Sequence, residues 1–481
     1  MDFKTNLDQP ITTFRSQLHQ VVNIVADIYS NIDDQTVYSN PDPQEVKGFF
    51  KESIPSSSTE IKEVLSIIQK NVIPNSTKHY SPHFYPWVTS CASQASIIGE
   101  FLATALNVNA TTWMNSAASS EIENQVIEWI GQFCGYSNKA TGVFLSGGST
   151  ANLTGLQIAR RLKSKIDISI DGLKEQTQFT VYASEETHYC IDKSIDALGI
   201  GKKYLRKIAT LSDFTIDVKK LEAQIKEDLT LGCIPMCVIG NAGTVNTGAI
   251  DPLYQLAKLC EKYDIWFHID AAYGGCAANL ESTKELFQGL NQADSVAIDL
   301  HKWLFVPFEA GCILVKDKNH LKNTFSVIPE YQKFNYNQEL QVDFSEYSFQ
   351  QSRNFKALKV WMNFKVYGQQ DLKRAIEASI KVMNSLTTLI QESNDFEFIA
   401  GGLSIACFRY IGNDKKLSLE EINSLNLELV KLTEIDKRVF IRETTLNGMV
   451  VLRGCCTNFR RELKHVEYLI AVLRSLGKQL I

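Results

Sequence analysis

Short apolar runs separated by amphipathic stretches fill the middle of the chain, and their spacing predicts strands alternating with helices. The runs lie at Gly142 to Leu145, Phe179 to Ala183, Met236 to Gly240, Trp266 to Asp270, Ser295 to Ile298 and Gly311 to Val315. Strands lacking a polar face are buried on both sides, as in a parallel sheet covered by helices. Between them, helices are expected from a Ser119-Ser120-Glu121 cap to Cys134 and from Ala151 to Leu162. Functional loops in such a sheet gather at the carboxyl ends of the strands.

The two ends of the chain read differently. The first seventy or so residues give an amphipathic helix from Ile11 to Ile32 and another centred on Ile61 to Val72. A turn-rich stretch from Tyr38 to Lys47, with Pro41 and Pro43, separates them. This arm has too little apolar surface for a core of its own, so it should pack on another domain or subunit. The segment Ile328 to Gln351 is polar and aromatic with weak periodicity, the signature of a long functional or mobile loop. Beyond it, a helical run from Lys356 to Tyr367 and strands at Leu403 to Tyr410 and Gly448 to Arg453 suggest a smaller α+β unit. The expected division is an arm over 1–78, a large domain over 79–352 and a small domain over 353–481.

Composition narrows the function classes. A chain of 481 residues, 44% hydrophobic, buries a core too large for one compact domain. The net charge of -5 comes from interspersed charges, which argues against a nucleic-acid or anionic-membrane surface. The start, MDFKTNLDQPITTF, lacks a secretory signal pattern, and no apolar run reaches the ~20 residues of a membrane span. A cytoplasmic protein is expected. The 11 cysteines are scattered, and neither Cys233/Cys237 nor Cys455/Cys456 has a second matching ligand pair, so reduced thiols and no metal are expected.

Four motifs carry chemistry, each at the end of an expected strand. Lys302, in His301-Lys302-Trp303, follows an apolar strand; a lysine partly removed from water loses its proton more easily and can attack an aldehyde. Asp270, in His268-Ile269-Asp270-Ala271-Ala272-Tyr273-Gly274-Gly275, places a carboxylate where it could keep a pyridine nitrogen protonated, and Ala272 leaves room for a flat ring. The turn Ser146-Gly147-Gly148-Ser149-Thr150 joins a strand to a helix, where free N–H groups and the positive helix end suit a phosphate. His188, after the strand ending at Ala183, reaches the same rim and can stack on a ring. Singly, each motif also fits a capped turn or a surface side chain; together, in this order, they describe a pyridoxal-phosphate site.

The same residues resemble the group II pyridoxal-phosphate decarboxylases, closest to the aromatic L-amino acid decarboxylases and aromatic aldehyde synthases. The likeness runs from the arm to Val451-Leu452-Arg453. It implies an α/β fold of the aspartate-aminotransferase type (PLP fold type I), with a mostly parallel seven-stranded sheet. It implies further that Lys302 is the Schiff-base lysine, Asp270 the pyridinium partner and His188 the stacking residue. Gly148, Ser149 and His301 would hold the phosphate, Thr244 would lie near the ring oxygen, and Arg353 would touch substrate. The family's homodimers share the active site across the interface and exchange their arms. The implied reaction is decarboxylation of an L-amino acid, first of all an aromatic one, to the amine and CO2.

Two departures from the family's pattern bear on the product and the substrate. Phe344 is placed where a loop tyrosine normally protonates the carbanion; without that acid, oxygen competes and an aldehyde results. Tyr347 and Tyr336 are the candidate replacements. Trp87, Asn109 and Thr111, the last two from the partner, stand where relatives carry other residues, which leaves a more polar substrate open. An aminotransferase and a non-catalytic regulator are the competing readings.

Overall fold

The computed structural model describes residues 7–327, 341–413 and 417–481. Its centre is a seven-stranded sheet in the order β1-β7-β6-β5-β4-β2-β3. The strands are β1 (Thr141–Leu145), β2 (Phe179–Ser184), β3 (Leu205–Ile208), β4 (Ile234–Asn241), β5 (Trp266–Asp270), β6 (Ser295–Asp299) and β7 (Gly311–Val315). Only β7 runs antiparallel, to both β1 and β6; the remaining pairs are parallel. Every residue of β2, β5, β6 and β7 is buried, as their lack of a polar face requires. Strands β2, β4, β5 and β6 deliver their carboxyl ends to one edge, so the segments that follow them converge there.

A second sheet, all antiparallel, has the order β10-β11-β9-β8, with β8 (Phe396–Gly402), β9 (Ile405–Tyr410), β10 (Arg442–Leu446) and β11 (Met449–Cys455). The helix Lys356–Gln391 reaches across both sheets and breaks at Gly368, where φ is 66°. Before the break, the Phe364 ring meets Trp129 and Phe133; after it, Met383, Leu386 and Ile390 enter the core of the small sheet. Tyr273, stacked on Trp303, hydrogen-bonds Ser404 and ties the two units together beside the convergence of strands.

Several boundaries differ from expectation. The helix expected to be capped at Ser119 spans Ala117–Phe133, because Ser116 Oγ accepts the Ser119 N–H and starts it a turn earlier. The glycine turn itself is helical: the next helix begins at Gly148 and runs to Lys163. The turn-rich stretch contains a helix, Pro43–Phe49, capped by Asp42, which accepts the N–H groups of Gln44 and Glu45. Part of the expected mobile loop is packed: Phe344–Glu346 forms a buried short turn. Residues 328–340, including Tyr336, lie outside the described residues.

Candidate active site

Where the strands converge, a cavity of about 850 Å³ opens. Its floor is Asp270, the last residue of β5, whose Oδ1 accepts the Ala272 N–H at 3.1 Å. Burial pushes the Asp270 carboxyl above its ordinary pKa, and nearby Lys302 only partly opposes this. A desolvated carboxylate of this kind favours a cationic partner, which a protonated pyridine nitrogen supplies. His188 and Ala272 both line the cavity. The His188 ring accepts the Cys190 N–H through Nδ1 at 3.2 Å, and burial holds its pKa below the usual histidine value.

His188 is placed by a buried network. Asp251 accepts the backbone and side-chain N–H groups of Asn241, both at 2.8 Å, and Asn241 Nδ2 donates onward to Thr187 Oγ1 at 2.9 Å. The residue before His188 is thereby tied to the end of β4.

At the other end of the cavity, Gly147 and Gly148 open the helix Gly148–Lys163, whose first N–H groups have no partner within the helix. His301 stands against them: a Cβ on Gly147 would lie 3.4 Å from its ring. His301 Nδ1 accepts the Ala310 N–H at 3.1 Å, which leaves the proton on Nε2, and burial lowers its pKa. Ser149 is exposed at the rim, and Thr244, whose hydroxyl shares a hydrogen bond with Thr247, lines the opposite wall.

Lys302 enters this cavity from the helical turn after β6, with its side chain 23% exposed. The expected loss of its proton is not what the structure shows. Burial alone would lower the Lys302 pKa, but the carboxylates of Asp299, 3.0 Å from Nζ, and of Asp270 outweigh it and hold the ammonium above the ordinary range. The sequence motif around Lys302 contains Asp299, yet a strand-end aspartate reads as a cap until the sheet brings it beside the lysine.

The structure separates other expected site residues from the cavity. Arg353 is spent inside the protein: its guanidinium pairs with buried Glu123 and donates to the carbonyls of Ala110 and Phe144. Its Nε is buried without a partner among the described residues, and Arg353 does not line the cavity of its own chain. Phe344 is fully buried beneath that guanidinium, and Tyr347 packs against it, hydrogen-bonded to the Thr141 side chain; neither lines the cavity. Asn109 accepts the Arg353 N–H, and the Thr111 hydroxyl donates to the Gln351 carbonyl, so both brace the same segment. Trp87 does reach the cavity, at its mouth, 44% exposed. Sequence reasoning assigned no role to Arg453, a buried residue from β11 that lines the cavity and donates to Val245 and Pro86 carbonyls.

Comparison with known proteins bears on what such a cavity does. Residues 43–411 match the family described as "Pyridoxal-dependent decarboxylase conserved domain". The chain belongs to this family. An aromatic-L-amino-acid decarboxylase of Bacillus atrophaeus is 35% identical over 478 residues, 98% of this chain and 97% of the relative. A phenylacetaldehyde synthase of a Rosa hybrid cultivar is 29% identical over 468 residues, 94% of this chain and 91% of the relative. The crystal structure of Oryza sativa TDC with PLP and tryptamine superposes with a TM-score of 0.93 at 25% identity, covering 99% of both chains. This decarboxylase is thus a pyridoxal-phosphate-dependent lyase of the group II type, with the fold of its relatives. Among the described residues, no helix is long and apolar enough to cross a membrane, and no cluster of side chains is suited to a metal.

Proposed function

We propose that this decarboxylase acts on an aromatic L-amino acid and releases CO2 and the corresponding amine, with Lys302 as the covalent anchor of the cofactor. The observation that carries the assignment is the meeting of Lys302 and Asp270 in one cavity that Trp87 also lines. The aromatic substrate is supported by the names of the relatives. Bound pyridoxal phosphate supplies a cationic ring into which electrons from a broken bond at the substrate α-carbon can drain.

The chain's own side chains divide the remaining work. Asp270 would hold the proton on the ring nitrogen, and His188 and Ala272, which both line the cavity, would bound the ring. The helix start at Gly148, with Ser149 and His301, would take the phosphate, and Thr244 would bound the ring. Arg453 brings fixed positive charge to the substrate side of the cavity. After CO2 leaves, a proton must reach the α-carbon, and within one chain neither Phe344 nor Tyr347 lines the cavity to give it.

The assembly belongs to the same reading. Ile11, Phe14 and Val22 on the helix Ile11–Tyr29, with Ile98, Phe101 and Leu102 on Gln94–Leu106, expose apolar surface that a second copy would cover. A cytoplasmic homodimer with exchanged arms fits these faces, with arm, large and small domains over 1–78, 79–352 and 353–481. Light scattering gives its mass directly.

The deciding experiment incubates the holoenzyme with a panel of amino acids, follows products by mass spectrometry and assays peroxide. Amine without peroxide from an aromatic substrate is expected. Aldehyde with stoichiometric peroxide would move the chain to the aldehyde synthases, and CO2 release only from a polar amino acid would overturn the substrate class.

A further inference from the structure

The cavity holds a second buried carboxylate for which the reaction above has no task. Asp299 ends β6 and is 3% exposed. Its Oδ2 lies 3.0 Å from Lys302 Nζ and 3.7 Å from His301 Nε2, while its Oδ1 is buried without a hydrogen-bond partner among the described residues. The same Oδ2 touches the phosphate turn: a Cβ on Gly148 would stand 2.7 Å from it. An anion drawn to the helix start therefore meets a like charge already there.

We propose that Asp299 is a positioning residue for Lys302: its carboxylate holds the lysine ammonium at the phosphate end, and cofactor capture requires that contact to break. This rests on the reading of Lys302 as the covalent anchor. An amine attacks an aldehyde only after losing its proton, so the paired ammonium is a resting form. Of the groups facing Lys302, burial keeps His188 and His301 short of charge and the Cys190 thiol protonated, its pKa pushed up to about 12. Arg453 and Glu309 lie elsewhere along the cavity wall. That leaves two carboxylates. Asp270 is occupied by the Ala272 N–H, whereas Asp299 is in direct ion-pair contact with Nζ. A phosphate seated at the turn sets a second anion against Asp299 and opposes its carboxylate there; once that contact breaks, the Lys302 ammonium gives its proton to solvent, the free amine adds to the aldehyde carbon, and the aldehyde oxygen leaves as water.

The test uses full-length enzyme stripped of cofactor. Trace acetylation of Lys302 with acetic anhydride is followed against pH by peptide mass spectrometry in wild type and in Asp299→Asn. The wild-type midpoint is expected above the ordinary lysine value of 10.5. In Asp299→Asn it should fall by about one unit or more, so that free amine at a given pH rises about tenfold. Uptake of pyridoxal phosphate near neutral pH, followed by absorbance, should quicken in step. An unmoved midpoint in the variant overturns the proposal. Should the variant fail to fold, the wild-type measurement decides alone, because a midpoint at or below the ordinary value leaves Asp299 no hold on the lysine. Borohydride reduction of the holoenzyme, with the adduct mapped to a different lysine, would instead defeat the anchor assignment and is a separate readout.

Discussion

The Arg353 guanidinium lies over the Phe344 ring, 5.0 Å from its centroid, and pairs with Glu123. Within its own chain Phe344 is thus packed against Arg353 and Tyr347, away from the cavity. Phe344→Tyr should leave the ratio of amine to aldehyde and peroxide unchanged. A phenol introduced into a site with no room or partner should cost about 1–3 kcal/mol of stability. Product analysis beside a denaturant melt checks both halves; a product ratio that shifts toward amine would show that the ring reaches the substrate.

Glu123 gives the second prediction. Both it and Arg353 are almost wholly buried, and Glu123 Oε1 also accepts the Phe144 N–H at 3.0 Å in β1. Glu123→Ala leaves a guanidinium buried without its counter-charge and should destabilise the chain by about 3–5 kcal/mol. Urea unfolding reports the loss. A change below about 1 kcal/mol would mean that the pair is solvated in solution.

The sequence made the central sheet legible where strands are apolar throughout: Trp266–Asp270 and Gly311–Val315 have the expected bounds. Strand β3 escaped notice because Leu-Arg-Lys-Ile at a sheet edge alternates too briefly to stand out, and β10, Arg-Glu-Thr-Thr-Leu, carries mostly polar residues. The cavity residues Lys302, Asp270, His188 and Gly148 were legible because each follows a strand, and strand ends converge. Depth was not legible. Nothing in the spacing of Arg353, Phe344 and Asn109 tells whether they face a cavity or one another, and Asp299 acquires its neighbour only when the turn after β6 brings Lys302 back beside it.

Asp251 ties pH to the support of His188. Burial pushes its carboxyl up to about 6 from an ordinary value of 3.8, against the N–H groups of Asn241 and Ile216 that it accepts. The folded chain thus binds this proton more tightly than the unfolded chain. Its contribution to stability is fully present below the unfolded value and is lost as pH rises through about 6. Asp251→Ala removes the titration. The stability difference between wild type and variant, from urea melts at pH 4 to 7, should narrow by about 2 kcal/mol as pH rises. A difference that stays constant or widens would show that the hydrogen bonds, not burial, govern this carboxyl.

Gly148 tests the phosphate end of the cavity. Its helix start has no room for a side chain, since a Cβ would lie 2.7 Å from Asp299 Oδ2 and 3.0 Å from the Ala272 methyl. Both neighbours are fixed, Asp299 by Lys302 and Ala272 by its N–H bond to Asp270, so the helix start must move to admit a methyl group. An overpacked contact of this kind costs about 1–3 kcal/mol. That cost falls on the N–H groups that face the phosphate, and Gly148→Ala should weaken pyridoxal phosphate binding about tenfold or more. Pyridoxal, which has no phosphate to seat, should lose far less. Titration of the stripped enzyme with the two compounds separates the effects: an equal loss for both would place the damage at the ring, and no loss for either would mean that the phosphate sits elsewhere.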